Sequence, residues 1–337
     1  MSATSPDPAA HGRSRPLLDN PRADRVKAVR ALAGRAARAR HGHFLVEGPQ
    51  SVRELVQEDA GRVRDLYLTE AAADRYGEIV AAARAAGVRT HLATPAVLDA
   101  MSPDAQHVLA VAEPHDVTLA DVLAGSPRLV AVLSRVRDPG NAGAVVRAAD
   151  AAGADAVVLT TESVDLHNPK VVRSTAGSLF HLPVVTGVTL AEAVAQLRRG
   201  GLAVLAADGA GEHDLDDLLD VAGHAAGRGA GGDGGPPGAE EGGGAAGAEG
   251  FGGTDDAERP GGTGDAAGKS RAPGTGSAPD LARPTAWVFG NEAWGLPEAD
   301  RALADAVVRV PIRGRAESLN LATAATVCLY ASSRAQR

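Results

Sequence analysis

Short apolar runs alternate with helix-patterned stretches along most of the chain, and this alternation constrains the fold more than any other feature. In the second half the strand-like runs RLVAVLSRV, DAVVLTTE, LPVVTGV and LAVLAAD are separated by the helical patterns AVVRAADAAG, a segment around 169–179, and LAEAVAQLRRG. A strand, a crossover helix and a second strand make a βαβ unit. Repeated units of this kind predict a parallel sheet covered by helices on both faces.

The first half alternates too, in a smaller unit. PRADRVKAVRALAGRAARAR predicts an opening helix, with Val26, Val29, Leu32 and Ala33 at helical spacing. The strands Phe44-Leu-Val-Glu-Gly48, VRDLYLTE, VRTHLAT and HVLAVAEP follow, with helices between them and Pro49 in the first turn of one. The expected division is a disordered tail over 1–20, a small α/β domain over 21–115 and a larger α/β domain over 116–337.

The larger domain carries an interruption. Residues 222–283 contain 21 glycines and five prolines. Such composition buries too little apolar surface to offset chain entropy, so the segment is expected to be a disordered insertion. Closure entropy grows only logarithmically with loop length. The strand near Leu205 and the strand TAWVFGNE near Val288 can therefore be neighbours. AVVRVPI follows as a strand, and SLNLATAATVCLYASSRAQR as a final helix with Ser318 as its N-cap.

Charge and composition narrow the function. Aromatics are only 3% of the chain, so the core falls to Ala, Val and Leu. There is no apolar run long enough for a transmembrane helix and no signal-peptide pattern at the N-terminus, which gives a cytoplasmic expectation. The single cysteine, Cys328, excludes an internal disulfide and a Cys-based zinc site, and in ATVCLY it reads as core. The net charge of −8 runs against nucleic-acid binding, but it is unevenly distributed. Residues 13–40 hold nine Arg or Lys against two Asp, while 222–283 hold nine acids against five bases. Arg25, Lys27, Arg30, Arg35 and Arg38 are candidates to face phosphates, or are simply a solvated helix face.

Three loops, each after a strand, are rich in small and polar residues: Asp138 to Arg147, Phe289 to Leu296, and Val310 to Leu321. Ligands of open α/β sheets bind outside the carboxyl ends of the strands, where all three loops are expected. The first loop taken alone imitates a dinucleotide site, with Gly140, Gly143 and Glu162 at the end of the next strand. The Gly-x-Gly of that fingerprint is missing, because Asn141 follows Gly140.

The three loops together resemble the signature motifs of the SpoU (TrmH-type) RNA 2′-O-methyltransferase family, of the SPOUT superfamily. Pro139, Asn141, Gly143 and Arg147 match the first motif; Gly290, Glu292, Gly295 and Leu296 the second; Pro311, Ser318, Leu319 and Asn320 the third. The stretch Asn168 to Pro183 is similar to the family's Arg/Ser-rich segment, and the N-terminal domain resembles its substrate-binding domain. The insertion is a departure from the pattern. The resemblance implies a C-terminal trefoil knot preceded by a small RNA-binding domain, a homodimer, and S-adenosyl-L-methionine as cofactor with no metal. It implies cofactor contacts at Gly290, Val310, Ile312 and Leu319. Asn141, Glu292, Ser318 and Asn320 would supply orienting hydrogen bonds. Arg147 would be the key catalytic residue, as general base or as a cation gripping a phosphate or the developing alkoxide.

Each position also has a plainer reading: a turn for Asn141, a helix cap for Ser318, a solvated carboxylate for Glu292. Of the two tryptophans flanking the second loop, Trp287 suits the core, and Trp294 either the core or a partner contact. His181 and His213 have no constellation in the sequence. The expected function is 2′-O-methylation of RNA, large-subunit rRNA first and tRNA second. A non-catalytic RNA-binding or ribosome-assembly factor and a nicotinamide-dependent oxidoreductase are the competitors.

Overall fold

The computed structural model describes residues 16–229 and 278–337. The first domain comprises α1 (Asp24–Ala31), α2 (Arg35–His41), β1 (Phe44–Glu47), α3 (Pro49–Glu58), β2 (Val63–Leu68), α4 (Glu70–Arg75), α5 (Gly77–Ala85), β3 (Thr90–Leu92), α6 (Pro95–Met101) and β4 (Val108–Ala112). Its sheet has the order β1-β4-β2-β3, with β4 antiparallel to both neighbours and β2 parallel to β3. The connecting α7 (Leu119–Ala124) starts in a capping box between Thr118 and Asp121.

The second domain contains β5 (Leu129–Leu133), α8 (Pro139–Ala152), β6 (Ala156–Thr160), α9 (Pro169–Ser174), β7 (Val184–Val188), α10 (Leu190–Arg199), β8 (Ala203–Ala207), β9 (His213–Asp214) and α11 (Leu215–Gly229). After 278 come β10 (Thr285–Phe289), α12 (Glu298–Arg301), β11 (Ala306–Arg309) and α13 (Leu321–Ala335). All seven strands are parallel, in the order β7-β6-β5-β10-β8-β11-β9. Strands β5, β6 and β10 are buried at every position, as a sheet covered on both faces requires. The long connection does allow β10 to lie beside β8, with Trp287 opposite Leu205 and Val288 opposite Ala206. Trp287 is fully buried and donates its indole N–H to Ser332 on α13 at 2.8 Å. Cys328 is buried on the same helix, and burial pushes its thiol up to about 12.

Several expected boundaries move. The opening helix is two helices, because the chain turns through Leu32–Gly34 and restarts with Gly34 in an extended conformation before α2. The expected tail reaches only partly into the described residues: Leu18 donates to Leu92 O and accepts from Thr94 N, both at 2.9 Å. Helix α11 runs to Gly229 and buries Ala222, and Leu281 is fully buried on the other side. The insertion expected over 222–283 is thus narrower, since both flanks supply apolar side chains to the fold; its residues 230–277 lie outside the described residues.

The two domains share a continuous core. Phe44 and Val46 of β1 belong to the same apolar cluster as Val145, Val171 and Val172 of the second domain. The Phe44 ring lies 4.5 Å from the His167 ring, between centroids. Around this seam Arg38 pairs with Asp165 at 2.6 Å, and Arg173 pairs with the buried Glu47, which also accepts from Ser102 Oγ at 2.5 Å. Burial would raise the Asp165 carboxyl, but hydrogen bonds from Arg38 and from His167 N hold it below the usual carboxylate range. His181, without a role in the sequence, joins Asp150 of α8 (2.7 Å) to Glu54 of α3 (3.3 Å). Burial lowers its pKa, and the two carboxylates more than reverse this.

Candidate active site

Four neighbouring strands end on one edge of the larger sheet, because β5, β10, β8 and β11 are adjacent and parallel. Their following loops are therefore side by side, and side chains tie them together. Asn291 Nδ2 donates to Arg135 O at 2.9 Å, joining the loops after β10 and β5. The Glu292 carboxylate accepts from Asp138 N at 3.2 Å and from Arg137 N at 3.5 Å. Asn320 Nδ2 donates to Asn141 Oδ1 at 3.0 Å, joining the third loop to the first.

Each tie has a local cause. Asp138 caps α8 by accepting from Asn141 N at 2.7 Å, and Pro139 occupies the first turn, where its missing N–H costs nothing. The helix consequently starts earlier than expected, and Asn141 and Gly143 lie within it. Gly143 is required by packing: a Cβ there would stand 2.4 Å from Ser174 Cβ and 2.6 Å from Val171 O on α9. The second loop closes on itself through paired backbone hydrogen bonds between Asn291 and Gly295, of 3.0 and 2.9 Å. At Gly290 a Cβ would meet the Gly295 carbonyl carbon at 2.4 Å, so only glycine fits. Helix α13 is capped by Asn320, whose Oδ1 accepts from Ala322 N at 2.9 Å, and not by Ser318, which lies further back in the exposed third loop.

Between the ends of β8, β10 and β11 lies a cavity of about 290 Å³ whose lining includes Gly290, Val310, Ile312 and Leu319 and the carboxylates Asp208, Glu292 and Glu317. Ile312 and Leu319 are 40% and 37% exposed, and an apolar ligand in the cavity would cover them. An apolar slot with carboxylates beside it suits an adenosine carrying a sulfonium and an ammonium group. Asp208, which sequence reasoning missed, is held by Arg301 at 3.3 Å. Its only signal was its place after a strand, in AADG. Asn291 was also missed, because its role depends on Arg135 O, which is remote in sequence.

Arg147 is exposed on α8. It lies on the same helical face as Ala151, whose carbonyl accepts from Tyr330 OH of α13 at 3.1 Å. No hydrogen bond or ion pair engages Arg147 among the described residues. The basic residues of the first domain divide. Arg25, Lys27, Arg30 and Arg35 are exposed, with Lys27 against Asp24 at 3.0 Å and Arg25 against His91 at 3.3 Å. Arg38 departs from the expectation of a phosphate contact. It is 7% exposed, and its guanidinium is engaged by Asp165 and by the carbonyls of Leu32 and Ala33 at 3.0 and 2.7 Å.

Comparison with known proteins places the two domains in a family. A family model described as SpoU rRNA Methylase family matches residues 128–226 and 264–330, and one described as RNA 2′-O ribose methyltransferase substrate binding matches 45–117. The 23S rRNA (guanosine-2′-O-)-methyltransferase RlmB of Bordetella pertussis is 27% identical over 305 residues, 88% of this chain and 93% of that protein. The 23S rRNA (uridine(2479)-2′-O)-methyltransferase of Streptomyces viridochromogenes is 28% identical over 205 residues, 60% of this chain and 51% of that one. The structure of the SpoU methyltransferase AviRb from Streptomyces viridochromogenes, in complex with the cofactor AdoMet, superposes with a TM-score of 0.65 at 26% identity, over 93% of this chain and 98% of that one. The chain belongs to the SpoU methylase family, with a substrate-binding domain at its N-terminus and a parallel-sheet SPOUT methyltransferase domain at its C-terminus.

Proposed function

We propose that this protein is an S-adenosylmethionine-dependent RNA 2′-O-ribose methyltransferase acting on large-subunit rRNA. The observation that carries the proposal is the convergence of the three loops. Asn141 and Asn320 hold each other, and Glu292 holds the backbone at Arg137 and Asp138, beside the cavity lined by Gly290, Val310, Ile312 and Leu319. The rRNA target is supported by the named activities of the relatives, which modify 23S rRNA.

S-adenosylmethionine supplies a methyl group already activated by its sulfonium, so the reaction calls for no metal. The protein's task is alignment of a ribose hydroxyl and management of its proton. Gly290, Val310, Ile312 and Leu319 would hold the adenosine. Asp208 and Glu317, also in the lining, are carboxylates that could meet its positive groups. Glu292 keeps the first and second loops at fixed separation by accepting two backbone N–H groups, so its contribution is to geometry. Asn141 and Asn320 orient each other at the junction of the first and third loops. Arg147 carries a permanent cation on an exposed helix face. A guanidinium stays protonated at ordinary pH, which favours a role in holding a phosphate or stabilising the developing alkoxide over that of general base.

Exposed Val327 and Tyr330 on α13, at 39% and 45%, support pairing of two copies through this face, beside Arg147. Exposed Arg25, Lys27, Arg30 and Arg35 on the N-terminal domain support RNA docking there. Incubation with methyl-labelled S-adenosylmethionine and unmodified 23S rRNA transcript tests the function. Label recovered in a 2′-O-methylnucleoside after digestion is the expected result. Label in a base, or none in any RNA, refutes it. Sedimentation as a monomer at micromolar concentration refutes the pairing.

A further inference from the structure

Trp294 is the most exposed aromatic side chain among the described residues, ahead of Tyr330 on α13. It is 54% exposed, at the tip of the second loop, two residues from Glu292. A residue with so large an apolar surface is seldom left in water unless something covers it. Its position is not that of a loose tip. The paired backbone bonds between Asn291 and Gly295 close the loop around it, Asn291 Oδ1 accepts from Ala293 N at 2.9 Å, and Asn291 Nδ2 anchors the loop to Arg135 O. The Arg137 guanidinium lies over the indole, 5.6 Å from the ring centroid, while Arg137 N donates to Glu292. An exposed aromatic ring and an exposed guanidinium are thus held together by the same two loops that define the candidate active site.

We infer that Trp294, with Arg137 beside it, is a stacking platform for an unpaired nucleobase of the RNA, next to the ribose to be methylated. The inference rests on the proposed RNA-methylating function. Protein recognition of single-stranded RNA relies on splayed bases laid on aromatic rings and guanidinium planes, and such stacking is tolerant of base identity. Arg137 adds a cation that can also meet the adjoining phosphate. Trp294 is therefore a binding residue, acting on substrate affinity and not on the transferring methyl group.

The chain's two tryptophans allow a direct reading, because Trp287 is fully buried and Trp294 is exposed. A mixed-sequence single-stranded oligoribonucleotide should quench the tryptophan emission of the intact protein. The base-free polyanion polyphosphate should not, and Trp294→Phe should remove the quenchable component. Oligonucleotide affinity should fall roughly 5- to 150-fold in Trp294→Ala, the range for loss of one aromatic stack, and return most of the way in Trp294→Phe. With 23S rRNA transcript as substrate the loss should appear in KM, with kcat and the S-adenosylmethionine affinity retained. Equal quenching by polyphosphate, an Ala variant with unchanged affinity, or a Phe variant as weak as the Ala variant each overturns the inference. A change in sedimentation on substitution also overturns it, assigning the indole to a protein contact. A wild-type protein that transfers no methyl to RNA refutes the proposed function, an outcome separable from all of these.

Discussion

Asn320 does two jobs that can be separated by substitution. Its Oδ1 caps α13 and its Nδ2 reaches Asn141. Replacing it with Ala removes both. Loss of an N-cap costs about 1 kcal/mol, and α13 carries buried Ala325, Cys328, Leu329 and Ala331, so the loss is felt by the whole domain. For a chain of this size that lowers the melting temperature by about 1–2 °C. Asn320→Ser keeps an oxygen able to accept from Ala322 N and Thr323 N, so its melting temperature should stay near wild type. Serine is too short to reach Asn141, and one neutral hydrogen bond is worth about 0.5–1.5 kcal/mol net. Methyl transfer to 23S rRNA transcript under single-turnover conditions should therefore fall about two- to twelvefold in Asn320→Ser without a matching loss of stability. A Ser variant of full activity would remove the Asn141–Asn320 contact from the site. An Ala variant as stable as wild type would refute the capping assignment.

Arg147→Ala should lower the methyl-transfer rate by about 10²–10³ while changing cofactor and RNA affinity by less than about twofold, measured by single-turnover kinetics beside filter binding; equal losses in rate and RNA affinity would make Arg147 a binding group. Gly290→Ala should weaken S-adenosylmethionine binding in calorimetry by about 5- to 150-fold, since the new methyl group would overlap the Gly295 backbone and overpacking of this kind costs about 1–3 kcal/mol; retained affinity would show that the second loop can yield. Burial, the largest influence on His167, pushes its pKa down to about 4 against an ordinary 6.5, so the folded state binds fewer protons between those values and stability is lost as pH falls from about 6.5 to 4. The full difference is roughly 3 kcal/mol, and His167→Gln should lose less stability than wild type over that range in urea titrations; identical slopes would refute the assignment. Charge reversal at Arg25, Lys27, Arg30 and Arg35 should weaken RNA binding and flatten its salt dependence, whereas an untouched salt slope would place RNA docking elsewhere.

The alternating runs were enough to read a parallel sheet, because a strand buried on both faces must be apolar throughout and its crossover helix must be amphipathic. β5, α8 and β6 illustrate this. The adjacency of β8 and β10 was permitted by the sequence, since the cost of a long connection depends weakly on its length, but strand order was decided by the fold. The residues of the three motif loops could be named for a related reason: glycine where backbones meet and Asn, Glu or Ser where loops need hydrogen bonds are local demands. What those residues do to one another was not legible. Glu292 reaches Asp138 N, Asn320 reaches Asn141, and Asn291 reaches Arg135 O across gaps of more than 150 residues that only strand order closes. The same holds at the seam between domains. Arg38 reads as one more cation in a basic helix until folding brings Asp165 within 2.6 Å of it and turns a surface charge into a buried tie. Local patterns are written by the periodicity of neighbouring side chains, whereas pairing between distant charges depends on how the two cores meet, and that follows from the whole chain's packing.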